Sequence, residues 1–136
     1  MRIFLDANIL FSAAAPHTAT RRLLDAASGY AVLVTNPHAW EEARRNLARK
    51  RPHFEPGLES LKKTVILSNA FAHAGPIDLP ECDIPVLAGA IGSKSTHLWT
   101  GDKQHFGKWY GKEQCGVTVV SSVLLADILF EMGWKP

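Results

Sequence analysis

Two periodicities divide the chain into alternating segments. Short, mainly apolar runs, typical of buried strands, occupy residues 2–5, 30–35, 64–67, 96–100 and 117–120. Between these runs apolar residues recur every three or four positions, which predicts helices over residues 18–29, 36–50, 56–63, 83–94, 104–110 and 121–133. Strands that alternate with helices favour an α/β fold built on a mostly parallel sheet.

Capping residues mark the ends of several predicted helices. Thr18 precedes a helix that Gly29 ends, and Asn36 precedes the proline that opens the next one. Ser121 precedes the last helix, and Gly133 ends it. We expect that helix to turn five apolar residues inward: Leu124, Leu125, Ile128, Leu129 and Met132.

The composition is that of an ordinary globular domain. A chain of 136 residues with 46% hydrophobic and 21% charged residues can bury a core without disulfides. We expect one domain over residues 1–136, since neither a repeat nor a linker is evident. Asp6 lies where a signal peptide would be apolar, and no apolar run has the roughly 18 residues of a membrane span, so we expect a cytoplasmic location. Cys82 and Cys115 are interpreted as reduced structural cysteines.

Basic residues concentrate in one segment, although the formal net charge of the chain is only +2. The segment contains Arg44, Arg45, Arg49, Lys50 and Arg51. One interpretation is a solvated helix face, and the other is a surface that holds a nucleic-acid backbone.

Two acidic residues directly follow predicted strands. Asp6 comes after the first strand, and Asp102 follows the strand over 96–100 after Gly101. Ligands of open parallel sheets bind beyond the carboxyl ends of the strands. Two acids at the same edge of the sheet therefore indicate a site there.

Further acids lie at the starts of two predicted helices. Asp83 shares a helical face with Leu87 and Ala90, which we expect to face the core, although it could serve only as a helix cap. Of the neighbouring Glu41 and Glu42, the second lies closer to the apolar positions of its helix, and we take it as the inward-facing acid. The alternative is that both glutamates are exposed and stabilised by the helix dipole.

Polar side chains near these acids complete a candidate metal site. Asn8 and Thr100 can orient the carboxylate of Asp6 by hydrogen bonds. Clustered carboxylates raise one another's pKa, so protons or cations must neutralise the cluster. Oxygen ligands without a paired His or Cys favour Mg²⁺ or Mn²⁺ over zinc, and such ions commonly act on phosphates.

Four segments together resemble the PIN-domain ribonucleases over nearly the whole chain. They are F-L-D-A-N-I-L (residues 4–10), N-P-H-A-W-E-E-A (36–43), D-I-P-V-L-A-G-A (83–90) and T-G-D-K-Q-H-F (100–106). The chain looks most similar to small prokaryotic members, which include the VapC-like toxins of toxin–antitoxin pairs. The resemblance implies a three-layer α/β/α fold with a central, mostly parallel sheet. It also implies that an acidic quartet binds metal and carries catalysis, supported by Asn8 and Thr100; the quartet is Asp6, Glu42, Asp83 and Asp102.

The same resemblance implies an activity and its partners. The reaction is hydrolysis of RNA phosphodiester bonds that leaves a 5′-phosphate and a 3′-hydroxyl, and a toxin would have an antitoxin partner. Candidate RNA-backbone contacts are Arg44, Arg45, Arg49 and His105. His105 follows Asp102 by three residues, so it could instead bond to an acid, and the other interpretation is a plain surface histidine. Candidate base-stacking residues are Trp99, Trp109 and Tyr110, of which Trp99 fits the core better. The apolar last helix suits either a homodimer contact or the core.

Three other functions compete with this interpretation. A haloacid-dehalogenase-type phosphatase also uses magnesium and an Asp after its first strand, but it needs a second Asp where this chain has Asn8. A receiver domain needs paired acids after the first strand and a phosphoacceptor Asp after a middle strand, and neither is evident. A PIN-like module that binds RNA or protein without cutting is the non-enzymatic alternative.

Overall fold

The computed structural model of the protein describes residues 1–70, 72 and 83–136. Its strands are β1 (Arg2–Leu5), β2 (Val32–Thr35), β3 (Val65–Leu67), β4 (His97–Trp99), β5 (Glu113–Gln114) and β6 (Val117–Val120). Its helices are α1 (Ala7–Ala13), α2 (Ala19–Ser28), α3 (Pro37–Lys50), α4 (Glu55–Ser60), α5 (Ile84–Gly92), α6 (Lys103–Phe106) and α7 (Ser122–Glu131). Short 3₁₀ turns occupy Pro52–Phe54, Leu61–Lys63 and Gly107–Trp109.

The strands form one six-stranded sheet in the order β3-β2-β1-β4-β6-β5. All neighbouring pairs are parallel except β5 and β6, which are antiparallel. Strands β2 and β3 follow one another on one side of β1, and β4 lies on the other side of β1. The order of connection therefore reverses between β1 and β4, and such a switch point leaves a crevice at the carboxyl ends of the strands.

Alternating side chains of β1 divide the core into two halves. Ile3 and Leu5 belong to a buried cluster with residues of α1, α2, α3, α4 and α7. Phe4 points to the opposite face and belongs to a second cluster with residues of α5 and α6. Helices thus cover both faces of the sheet, which confirms the predicted three-layer α/β/α sandwich with a mostly parallel sheet.

Most predicted elements are present within a few residues of their expected bounds, but two are new. The apolar pattern predicts no helix directly after the first strand, yet α1 begins at Ala7 and buries Leu10 and Ala13 at helical spacing. The two-residue strand β5 is also absent from the prediction, since its residues carry no apolar pattern.

The last helix corrects one expectation about the core. Leu125 and Leu129 of α7 are fully buried, and Leu124 and Ile128 pack partly against the same cluster. Met132 is 45% exposed, so its predicted inward orientation is wrong. Met132 is the C-cap of α7, where the helix ends and the side chain is left at the surface.

The structure describes one of the two cysteines. Cys115 is exposed and has a positive φ of 53°, which is a turn conformation rather than a core position. Cys82 lies outside the described residues. Within the described ranges, none of the helices has both the length and the apolar character needed to cross a bilayer.

Candidate active site

The switch point of the sheet brings the two predicted strand-end acids to one edge. Strands β1 and β4 are neighbours, and Leu5 pairs with Trp99 at their carboxyl ends. The next backbone N–H, that of Asp6, donates to the Trp99 carbonyl at 3.1 Å. Asp6 and Thr100 therefore leave the sheet side by side, and Asp102 lies two residues after Thr100.

Asp6 is buried, and hydrogen bonds hold both of its carboxylate oxygens. The Ala7 N–H donates to Oδ1 at 2.7 Å. The Thr100 hydroxyl donates to Oδ2 at 2.7 Å, and the Asn8 amide donates to the same oxygen at 3.3 Å. These bonds fix the direction of the carboxylate, as expected for a preorganised ligand.

Thr100 and Asn8 also hold the loop after β4. The Thr100 hydroxyl accepts from the Asp102 N–H at 3.1 Å, and the Asn8 side-chain oxygen accepts from the Gly101 N–H at 2.8 Å. The Tyr110 hydroxyl donates to the Thr100 carbonyl at 2.9 Å. The two polar residues predicted to support Asp6 thus join it to the strand end that carries Asp102.

Asp83 occupies the N-cap position of α5 but makes no capping hydrogen bond. Its Oδ2 lies 2.5 Å from Nδ1 of His105, and the same Nδ1 lies 2.8 Å from Oδ2 of Asp102. Asp102 does cap its own helix, because its Oδ1 accepts from the His105 N–H at 3.1 Å. The interpretation of Asp83 as a simple cap is therefore wrong, since its side chain faces Asp102 and His105 instead.

Two features bring α5 close to the rest of the site. Asn36 caps α3 by accepting from the Ala39 N–H at 2.9 Å, and its side-chain amide donates to the Pro85 carbonyl at 3.3 Å. A Cβ at Gly89 would lie 2.4 Å from the Asn36 amide nitrogen and 3.0 Å from the Phe4 ring. Glycine therefore permits the close approach that places the start of α5, and with it Asp83, beside the sheet.

The two neighbouring glutamates of α3 differ in environment. Glu42 is half-buried, and its negative charge contributes to the raised pKa of Asp6 and of Asp83. Glu41 is exposed and accepts from Nε of Arg44 at 2.9 Å, a contact that lowers the pKa of Glu41. The geometry agrees with Glu42 as the inward-facing acid.

Burial and mutual repulsion disfavour the charged forms of Asp6 and Asp83. Burial, followed by the negative charges of Asp83 and Glu42, raises the pKa of Asp6 from 3.8 to about 6, against hydrogen bonds from Thr100 and Ala7 that lower it. Burial also raises the pKa of Asp83, and Asp102 and Glu42 add to the rise while His105 opposes it. The electrostatics thus show that the four acids interact at one edge of the sheet.

The donor set fits a divalent cation. Among the described residues, Asp83 Oδ2 and His105 Nδ1 are buried side-chain atoms without a hydrogen-bond partner of good geometry, although they lie only 2.5 Å apart. Atoms of Asp83, Asp102 and His105 all lie within 4.8 Å of one another. Such convergence of unsatisfied donor atoms is the arrangement that an ion would stabilise.

The four candidate RNA contacts differ in their positions relative to the acids. Arg45 and Arg49 are exposed and lie three and seven residues after Glu42, on its side of α3. Arg44 lies on another face and pairs with Glu41. His105 faces the acids, so the interpretation as a plain surface histidine is wrong.

The three candidate stacking residues also differ. Trp99 is fully buried, and its ring N–H donates to the Ser122 hydroxyl at 3.0 Å, which confirms the core interpretation. Tyr110 is tied to the loop after β4 by its hydroxyl. Trp109 is partly buried and packs edge-on against Phe106.

The short helices α1 and α6 also place side chains at the site. The position of His105 depends on α6, whose first turn returns the ring toward Asp83 and Asp102. The helix α1 places Phe11 near Asn8 at the same edge of the sheet. The three-residue spacing of Leu10 and Ala13 was the one signal that could have indicated α1.

Comparisons with known proteins support the fold. No protein-family model matches the chain, and no curated protein matches it in sequence. Among solved structures, the chain is similar to a chain of VapBC2 from Rickettsia felis, in a crystal structure bound to a DNA fragment from its promoter. The TM-score is 0.66 at 14% sequence identity, and the match covers 89% of this chain and 98% of that chain. At this identity, the similarity shows a shared fold over nearly the whole length of both chains.

Proposed function

We propose that this protein is a divalent-metal-dependent endoribonuclease of the PIN type. The observation that carries the proposal is the convergence of Asp6, Glu42, Asp83 and Asp102 at the switch point of the sheet. The PIN-like motifs at these four positions and the fold shared with a VapBC2 chain support the same conclusion.

The four acids and His105 would hold one or two Mg²⁺ or Mn²⁺ ions. Asp83 and Asp102 present converging oxygens, and Asp6 is oriented by Thr100 and Asn8. A bound ion makes water a better nucleophile near neutral pH and stabilises negative charge on the phosphate. A carboxylate that remains unligated can accept the proton of the attacking water.

The substrate in this proposal is RNA, cut to leave a 5′-phosphate and a 3′-hydroxyl. Arg45 and Arg49 are placed to contact the phosphate backbone, since they are exposed on the side of α3 that carries Glu42. Arg44 is less suited to this role because Glu41 already binds its guanidinium group.

A protein partner is the second part of the proposal. The similar solved chain belongs to a VapBC2 assembly, and we propose that this chain likewise acts as a toxin neutralised by an antitoxin. A homodimer through α7 is a further proposal, supported by the exposed apolar residues Val123, Phe130 and Met132 on or beside that helix.

The test is RNA cleavage by the purified protein under controlled metal conditions. We expect mixed RNAs to be cut with Mg²⁺ or Mn²⁺ and to stay intact with a chelator. Asp83→Asn should lower the rate by at least about 100-fold, because one oxygen of the cluster loses its charge. Asp25→Asn, at an exposed carboxylate paired with Arg21 on α2, is the matched control and should cut normally.

Two outcomes would contradict the proposal. Cutting that persists in the chelator, or is unchanged in Asp83→Asn, would exclude the metal mechanism at this site. An absence of cutting in every metal, with RNA binding retained, would favour a non-catalytic binding module.

A further inference from the structure

A cavity of about 270 Å³ lies directly beside the acidic cluster, between α1 and α3. Its lining residues are Asn8, Phe11, Glu42, Asn46 and Lys50. Two of these residues belong to the acidic site itself. Asn8 donates a hydrogen bond to the Asp6 carboxylate, and the negative charge of Glu42 contributes to the raised pKa of Asp6. The cavity is therefore continuous with the place where the proposed reaction occurs.

Helical spacing accounts for the lining of the cavity. Asn8 and Phe11 are three residues apart on α1, so they lie on the same face. Glu42, Asn46 and Lys50 follow one another at four-residue intervals on α3. At 1.5 Å per residue, this row extends about 12 Å away from the acids.

The three other lining side chains offer different contacts to a ligand; they are Phe11, Asn46 and Lys50. Phe11 is partly buried against the core, which fixes its ring. Asn46 accepts from the Arg49 guanidinium at 3.1 Å, an arrangement that holds its amide in place. Lys50 is exposed, and within the described parts of the chain its ammonium group forms neither a hydrogen bond nor an ion pair.

We propose that this cavity binds one unpaired nucleotide adjacent to the phosphate that is cut. The Phe11 ring contacts the base, the Asn46 amide contacts a polar edge of the base or sugar, and Lys50 binds the next phosphate. The inference rests on the proposed ribonuclease function and adds to it a specific substrate-binding subsite.

The chemistry of the lining favours a nucleotide over other ligands. Aromatic rings and cations beside one another are the combination by which proteins hold single-stranded nucleic acids. The volume is slightly below the roughly 300 Å³ at which typical small-molecule pockets begin, so it suits one nucleotide and not a folded RNA segment. The row also places its free cation at the end away from the acids, where the backbone of a bound strand would continue.

The test is equilibrium binding of a fluorescein-labelled, unstructured RNA oligonucleotide, measured by anisotropy in a chelator so that nothing is cut. Phe11→Leu keeps apolar volume but removes the ring, and it should weaken binding about ten-fold. Lys50→Gln should make the slope of log K against log salt shallower by about 0.7, because one phosphate contact is lost. Lys135→Gln, in a separate cavity near the C-terminus, is the control and should leave the slope unchanged.

The outcomes separate this inference from the ribonuclease proposal. If the protein cuts RNA but both variants bind the oligonucleotide normally, the subsite is wrong and the nuclease proposal stands. If the wild-type protein neither cuts nor binds RNA, both are wrong. If Phe11→Leu does not fold, Lys50→Gln at the exposed position decides the question through its salt slope. If the variants change binding of a partner peptide and not of RNA, the cavity is a protein-binding site and the proposal is overturned.

Discussion

The buried carboxylate of Asp6 should destabilise the metal-free protein at neutral pH. Its pKa rises from 3.8 to about 6 on folding, mainly because burial disfavours the charged form. The folded state therefore holds the proton more tightly than the unfolded chain between these two pH values. The contribution of Asp6 to stability is greatest below about pH 4, falls as the pH rises from about 4 to about 6, and is lost above that range.

The size of this loss follows from the two pKa values. Each pKa unit corresponds to about 1.4 kcal/mol, so the ionised carboxylate of Asp6 costs about 3 kcal/mol of folding free energy above pH 6. Asp6→Asn removes the charge and keeps an oxygen that can cap α1. Because the unfolded carboxyl is already more than half ionised at pH 4, the difference in stability between Asp6→Asn and wild type should shift in favour of the variant by about 2 kcal/mol between pH 4 and pH 7.

The assay is urea denaturation of both proteins across this pH range in a chelator. Adding Mg²⁺ or Mn²⁺ at pH 7 should then stabilise the wild type more than Asp6→Asn, because a bound cation offsets the buried charge. Asp25→Asn, at a carboxylate that is 59% exposed, controls for loss of an acidic side chain. A stability difference between Asp6→Asn and wild type that does not change with pH would refute the reasoning.

Three further predictions concern single contacts. Thr100→Val removes the hydroxyl that donates to Asp6, and we expect metal affinity, measured by calorimetry, to fall 10- to 100-fold. His105→Gln should weaken Mn²⁺ binding by about ten-fold and remove a nitrogen coupling from the Mn²⁺ electron spin resonance spectrum, because its ring nitrogen faces the acids. Gly57→Ala should lower the free energy of unfolding by 1 kcal/mol or more, since its Cβ would lie only 1.8 Å from the Ala14 carbonyl oxygen.

The glycine and histidine variants each have a matched control. Gly107→Ala adds a Cβ whose nearest neighbour is 3.7 Å away, so its urea midpoint should stay close to that of the wild type. His38→Gln changes an exposed histidine of α3 and should keep Mn²⁺ affinity. A nitrogen coupling that survives in His105→Gln, or unchanged metal affinity in Thr100→Val, would contradict the geometry proposed for the site.

Much of the fold could be predicted because local patterns and tertiary structure agree. The run before Asp6 is buried on both faces, as its uninterrupted apolar character predicts. Thr18, Asn36 and Ser121 each cap the helix they were expected to cap. Helix α1 was not predicted because Asp6, which caps it, was interpreted only as a strand-end acid, and only seven residues follow in the helix.

The candidate site could be predicted only in part. Strand ends and a helix face indicated Asp6, Asp102 and Glu42, because topology places such positions at one edge of a parallel sheet. The orientation of Asp83 depends on the close approach of α5, and a cap and a metal ligand look alike in sequence. The three-residue spacing from Asp102 left His105 either bonded to an acid or facing solvent, and the short helix α6 decides between the two.

Hydrophobic periodicity and capping are local properties, and they predicted most of the strands and helices and the acids beside them. Which of these polar groups meet depends on the folded chain. The 2.5 Å approach of Asp83 and His105 and the cavity between α1 and α3 join residues far apart in the chain. Such contacts depend on how helices pack across the sheet, a global balance of volume and charge that no local pattern contains.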